Sequence, residues 1–260
     1  MGLLRFLILI FLMLFNRADA YPPAEGFNQA GSDPKAIELA DAVMDKMGGW
    51  DNWNKTRYIT WKFFGGRLHV WDKWTGRLRF ENGDLTVLMN IHTKEGQVYR
   101  NGIQETQPDS VQKYLNNGYR AWINDSYWLV MPYKLKDSGV TLKYDGETQM
   151  ENGRDAHQLT LIFDSVGVTP ENKYNVYIDK EHMMVEEWAY YPKASDAEPR
   201  FKNPWTNWVQ YGKIMLSDGR GANERGERTH THIAVFDTLP DAVFDSLTPV
   251  DMMSFSKAAP

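Results

Sequence analysis

The sequence predicts a single, mainly β, antiparallel domain, and three observations carry that expectation. From Tyr58 onward, short runs rich in aromatic and β-branched residues are separated by Gly65-Gly66, Thr75-Gly76, Asn82-Gly83-Asp84 and Asn101-Gly102, the residues that tight hairpin turns require. Within a run the polarity alternates: Leu85, Val87, Met89 and Ile91 interleave with Thr86, Leu88 and Asn90, as in a strand with one buried face. Aromatic residues make up 13% of the chain and include ten Trp, a composition suited to a sheet protein with a wide apolar interior.

The elements follow in order. Arg5, the unbroken apolar run Phe6 to Phe15, and Ala18-Asp19-Ala20 form the charge, core and small-x-small pattern of a signal peptide cleaved after Ala20. Ten helical residues rise only about 15 Å, half the thickness of a hydrocarbon core, so a membrane span is not expected. No Cys follows the run, which removes an N-terminal lipid anchor. The segment 21–32, rich in Pro, Gly and Asn, reads as a flexible mature terminus. A helix should begin with Asp33 as N-cap and Pro34 in the first turn, bury Ile37, Ala40, Val43, Met44 and Met47, and end at Gly48-Gly49.

Strands are then expected over 58–64, 67–74, 77–81, 85–92 and 95–100. From Pro108 to about Trp128 a helix capped by Asp109 or Ser110, and broken near Gly118, interrupts the meander. The all-apolar stretch Tyr127 to Tyr133 should be buried on every side. A second antiparallel series covers 141–144, 149–151, 156–163, 173–179, 183–191, 205–217 and 228–236. No linker divides these runs, so one domain over 33–247 with a tail at 248–260 is expected. Two hairpins share a design, Val70-Trp71-Asp72-Lys73 and Tyr177-Ile178-Asp179-Lys180, in which the Asp accepts hydrogen bonds from turn amides.

Several functions are excluded or disfavoured. The chain has no Cys, hence no disulfide, thiol catalysis or thiolate metal site. The net charge is −5 and no basic stripe stands out, so nucleic acid is not an expected partner. There is no G-x-S-x-G elbow, H-E-x-x-H, phosphate loop or dinucleotide fingerprint, and no enzyme activity or cofactor is expected. His182 and Glu186 have the wrong spacing for a zinc protease, and Glu186-Glu187 point to opposite sides of a strand. One metal-ligand pair survives as a candidate: His230 and His232, two apart on a strand, would share a face and need a third ligand such as His69, His157 or Asp237.

The run Met47-Gly48-Gly49-Trp50 with Trp53, then Arg67 to Lys73, Val166-Gly167-Val168-Thr169-Pro170-Glu171-Asn172-Lys173-Tyr174 and Tyr177 to Lys180 resembles a group of uncharacterised exported bacterial proteins. With its early helix, two meanders and interrupting helix, that group in turn resembles the lipoprotein-localisation-factor superfamily of LolA/LolB-type carriers and LppX-like proteins. The resemblance implies a curved, half-open antiparallel barrel of roughly 11–12 strands with one or two helices on its concave side. It implies a periplasmic or secreted, non-enzymatic protein that binds a lipid, acyl chain, lipoprotein or other hydrophobic ligand as carrier or sensor.

Strand parity and bulk place Trp61, Phe63, Leu68 and Val70 on the cavity side of the first two strands, with Leu78 and Phe80 on the third. Trp122, Trp128 and Leu129 join them from the interrupting helix, and Leu161, Phe163 and Trp188 from the second series. Two other readings are open: a secreted carbohydrate-binding or carbohydrate-active protein using surface Trp and carboxylates, and an interaction module of the cell envelope without a small ligand.

Overall fold

The computed structural model describes residues 21–163 and 171–260. The expected signal peptide and the Val166 to Pro170 part of the motif lie outside the described residues. Helix α1, Pro34–Lys46, buries Leu39, Ala40, Val43 and Met44. Asp33 stands at its N-cap but does not cap it. Its carboxylate instead accepts from the Tyr144 amide at 3.0 Å and the Lys143 ammonium at 3.1 Å, which ties the start of the helix to a strand. Segment 21–32 touches the rest of the molecule at separate points. Tyr21 and Phe27 are buried in the main core, and Lys136 Nζ donates to the Tyr21 carbonyl at 2.5 Å.

After α1 the chain turns through Gly48, whose φ of +109° is open mainly to glycine. A Cβ there would lie 2.3 Å from the Lys213 carbonyl oxygen. The close approach matters because the Met215 amide donates to the Met47 carbonyl at 3.0 Å. Gly48→Ala is therefore expected to lower stability by about 1 kcal/mol or more, measured by urea unfolding. A short helix α2, Trp50–Lys55, follows and stacks Trp53 on Tyr133 at 4.1 Å.

Strands β1 (Tyr58–Phe63), β2 (Arg67–Asp72), β3 (Arg77–Asn82), β4 (Leu85–Asn90), β5 (Gly96–Arg100) and β6 (Ile103–Gln104) form an antiparallel meander, as the turn residues predict. Helix α3, Pro108–Val130, leads through a 3-10 turn, Met131–Lys134, into the second series. That series comprises β7 (Val140–Gln149), β8 (Asp155–Phe163), β9 (Lys173–Asp179), β10 (Val185–Tyr191) and β11 (Phe201–Pro204) in one five-stranded sheet. Strands β12 (Thr206–Tyr211), β13 (Ile214–Asn223) and β14 (Gly226–Thr229) form a small third sheet. Strand β15, Thr231–Phe236, returns to pair antiparallel with β1 and completes the first sheet as β15-β1-β2-β3-β4-β5-β6.

The small sheet touches both larger ones, β13 against β11 and β12 against β15. The result is a curved, antiparallel, half-open arrangement of fifteen strands among the described residues, with helices inside it. The strand count exceeds expectation because a turn at Gly212-Lys213 splits 205–217, a break at His230 splits 228–236, and β6 and β11 are too short to stand out. In the other direction, 141–144 and Gln149 fall in the single strand β7, which ends before Met150 and Glu151.

The register sorts the first sheet into two faces. Trp61, His69, Phe80, Val87 and Val98 are successive cross-strand partners on the inner face. Helix α3 crosses this face without a break. Gly118 does not interrupt it but lets it approach, since a Cβ there would sit 3.4 Å from Val87 and 3.6 Å from Phe80. Pro108 occupies the first turn with Gln107, rather than Asp109 or Ser110, as N-cap. On the outer face Tyr58, Leu68, Val70, Ala234 and Phe236 are covered by the C-terminal segment, through Leu239, Met252 and Val243 and Phe244 of helix α4, Ala242–Asp245. Arg79, buried on that face, holds the segment by donating to the carbonyls of Val243 at 3.1 Å and Ser246 at 2.8 Å.

Candidate functional site

Strand β2 presents Arg67, His69 and Trp71 to α3, because these three share one parity. On α3 Trp71 meets Trp122, and Arg67 and His69 meet Asp125, whose side chain is fully buried. Arg67 grips it in a two-pronged pair, Nε to Oδ2 at 2.7 Å and Nη2 to Oδ1 at 2.6 Å. His69 Nε2 lies 2.8 Å from Oδ2, and Trp61 stacks on the imidazole at 4.6 Å and 12°. Burial alone would raise the Asp125 carboxyl, but the hydrogen bonds from His69 and Arg67 outweigh it and hold the group below its ordinary value. Burial depresses His69 despite the Asp125 charge, so a neutral imidazole donates from Nε2. The network clamps the helix to the inner face.

Beyond this clamp the inner surface is aromatic. Trp128, in the last turn of α3, packs edge-on against Phe63, Phe64 and Trp188 at 6.1, 5.6 and 4.8 Å and tilts against Phe201 at 5.3 Å. Tyr174 stacks on Trp188 at 5.3 Å and 3°, and meets Phe163 at 5.7 Å. Strands β1, β8, β9, β10 and β11 and helix α3 thus contribute to one continuous set of rings. Trp188 and Trp205 are buried, whereas Phe63, Phe64, Trp128, Phe163, Tyr174 and Phe201 are only half-buried. Phe64 adopts φ +47° in the β1–β2 turn, where Asn or Gly is usual, and lays its ring flat on His230 at 4.9 Å and 2°.

Three basic side chains border these rings. Arg220 is fully buried, lies 3.6 Å from the Trp205 ring centroid, and donates twice to the Trp128 carbonyl at 3.1 and 2.6 Å. It thereby caps the end of α3, where the helix carries partial negative charge. His230 is buried beside the same carbonyl at 3.2 Å, and burial together with the Arg220 charge pushes its pKa down to about 3. Arg228, half-buried, stands over Trp128 at 5.5 Å and Phe64 at 5.7 Å.

The twelve residues expected to line a cavity divide into three groups. Trp61, Leu78, Phe80, Leu129, Leu161 and Trp188 face inward and are buried in packed core. Phe63, Trp128 and Phe163 belong to the half-buried aromatic surface, and Trp122 packs half-buried against Trp71 at 5.4 Å. Leu68 and Val70 lie on the outer face beneath the C-terminal segment. Bulk suggested they point inward, but that parity on β2 belongs to Arg67, His69 and Trp71. Sequence reasoning missed Arg220, Arg228, Asp125 and Phe64; an aromatic residue directly before Gly65-Gly66 was the one available signal.

The histidine pair does not converge: His230 precedes β15 and is buried, while His232 is exposed at φ +54°. A break between β14 and β15 removes the alternation that would have given them one face. Asp179, His182 and Glu186 do come together, but Arg154 already bridges Asp179 and Glu186, each at 2.7 Å. Trp74 is the strongly exposed tryptophan, and its indole is bonded to the Asn54 carbonyl at 2.9 Å. A cleft of about 460 Å³ lies elsewhere, between β4–β5 and α4, lined by Arg77, Leu88, Met89, Gln97 and Phe244 among others. None of the twelve residues lines it.

No protein-family model and no curated protein matches the sequence. Solved structures do. An outer membrane lipoprotein-sorting protein domain from Vibrio parahaemolyticus is 12% identical, with a TM-score of 0.40 over 81% of this chain and 96% of that one. A DUF1329 family protein from Desulfovibrio piger is also 12% identical, with a TM-score of 0.43 over 83% and 98%. A LolA superfamily protein from Nitrosomonas europaea is 10% identical, with a TM-score of 0.33 over 79% and 96%. These names include the superfamily that the sequence resembles. None of the three reaches a TM-score of 0.5, so what those proteins bind is not transferred to this chain. No helix among the described residues is long and apolar enough to cross a membrane.

Proposed function

We propose that this protein is an exported, non-enzymatic binder of a hydrophobic ligand, an acyl chain or lipid held against the inner aromatic surface of the half-barrel. One observation carries the reading: Phe63, Phe64, Trp128, Phe163, Tyr174 and Phe201 come from separate elements to form one half-buried surface on the concave side. A folded chain gains most by burying such rings completely; leaving them half open costs roughly 25 cal/mol for each Å² of apolar surface left wet. An apolar ligand recovers that energy. The expected leader at 1–20 supports a periplasmic or secreted location. The scarcity of exposed Trp tells against a carbohydrate platform.

Delipidated protein should bind a fluorescent fatty-acid probe with micromolar affinity, and native mass spectrometry of freshly purified protein should show a retained lipid. Failure of several acyl probes of different length to bind would overturn the reading.

A further inference from the structure

We propose that the ligand is an anionic amphiphile whose head group is bound by Arg228; this inference rests on the hydrophobic-ligand reading above and names the ligand class for that same surface. Among the described residues, every arginine that is not exposed forms an ion pair with a carboxylate except two neighbours, Arg220 and Arg228. Arg220 is accounted for. Its five hydrogen bonds go to the carbonyls of Trp128, Ser217 and Gly219 and to the Ser217 hydroxyl, and α3 ends upon it.

Arg228 is not satisfied in this way. One nitrogen, Nη2, serves the Asn203 side chain and the Arg220 carbonyl, the latter at 3.0 Å. Its Nε is buried and finds no partner among the described residues. Asp218, the nearby acid, pairs with neither guanidinium, and its own Oδ1 is buried without a partner. His230 beside them is neutral, and Arg220 adds a second positive charge that repels Arg228.

Such a cation, partly desolvated and short of a counter-charge, binds an anion more strongly than an exposed arginine does. Its position defines the kind of anion. The guanidinium stands over Phe64 and Trp128, two rings of the aromatic surface, so a carboxylate or phosphate bonded to it leaves an attached chain lying along those rings. A free anion would use only the charge and a neutral lipid only the rings. An amphiphile uses both.

The test compares head groups at equal chain length. Delipidated wild-type and R228Q proteins are loaded with the neutral probe 1-aminoanthracene, which is then displaced by dodecanoic acid, dodecyl phosphate or dodecan-1-ol at low ionic strength. Wild type should prefer at least one anion over the alcohol by about tenfold, a preference that salt weakens. In R228Q that gap should shrink to about twofold through weaker binding of the anion, and a far-UV circular dichroism spectrum like that of wild type with a cooperative urea transition reports that the variant is folded. A preference for the acid alone, or the phosphate alone, supports the inference and assigns the head group. Equal affinities in wild type, or a preference that survives in R228Q, would overturn it while leaving the hydrophobic-ligand reading intact. If the probe binds and no twelve-carbon chain displaces it, or nothing binds at all, it is that earlier reading that fails.

Discussion

Replacing Asp125 by Ala is expected to destabilise the protein by about 3 kcal/mol, the low end of the range for breaking a buried charge pair. The side chain is fully buried and takes three hydrogen bonds from two residues of another element, Arg67 and His69. Of the donors its removal leaves, the two residues on β2 differ in their fates. Arg67 is one-third exposed and can turn its guanidinium to water. His69 is fully buried under Trp61, so its Nε2–H is stranded. The loss falls on the one polar clamp between α3 and the inner face of β2, and α3 also carries Trp128 into the aromatic surface. Asp125→Asn should cost less, because the amide oxygen can still accept from one partner. Urea unfolding of both variants checks the order; an Asp125→Ala midpoint equal to wild type would show that the clamp does not hold the helix.

The clamp also shows where the sequence was legible and where it was not. Hairpin turns were readable because Gly65-Gly66, Asn82-Gly83 and Asn101-Gly102 leave the backbone few alternatives, and the strands between them were placed to within about two residues. Parity was readable in β4, where Leu85, Val87 and Met89 share one face and Thr86 and Asn90 lie on the other with Leu88 as the one apolar exception, and misread in β2. There both faces are buried, one by α3 and the other by the C-terminal segment, so hydrophobicity does not distinguish Leu68 and Val70 from Trp71. Arg67 and His69 looked like the polar, outward set, and only the partner Asp125, 58 residues from Arg67, makes their inward direction affordable. Arg220 is a similar case. Its burial depends on the Trp128 carbonyl at the end of a helix 92 residues earlier, a pairing no local pattern announces. The aromatic surface was half legible: Phe63, Trp128 and Phe163 were chosen by bulk, while Phe64 sits in a turn position where bulk is disfavoured.

Acidification gives the second large expected effect. His230 has a folded pKa of about 3, lowered first by burial and then by the Arg220 charge. Its unfolded value is about 6.5, so below that pH the unfolded chain binds a proton that the folded chain refuses. The stability this residue contributes is fully present above pH 6.5 and is lost as the pH falls towards 3. At about 1.4 kcal/mol per pH unit, the loss from this residue between pH 7 and pH 4.5 is about 3 kcal/mol. His69, also depressed by burial, acts in the same direction. In His230→Gln the side-chain amide can still donate to the Trp128 carbonyl but takes up no proton. The variant should be less stable than wild type at pH 7, since it gives up the ring stacked on Phe64, and should lose about 3 kcal/mol less on going to pH 4.5. Carboxylate titration is common to both proteins and cancels in the comparison. Urea unfolding at the two pH values measures the difference, and parallel losses in wild type and variant would mean that His230 is protonated in the folded state. The same titration bears on the ligand surface, because a proton on His230 would place a third positive charge beside Arg220 and Arg228, directly beneath the ring of Phe64.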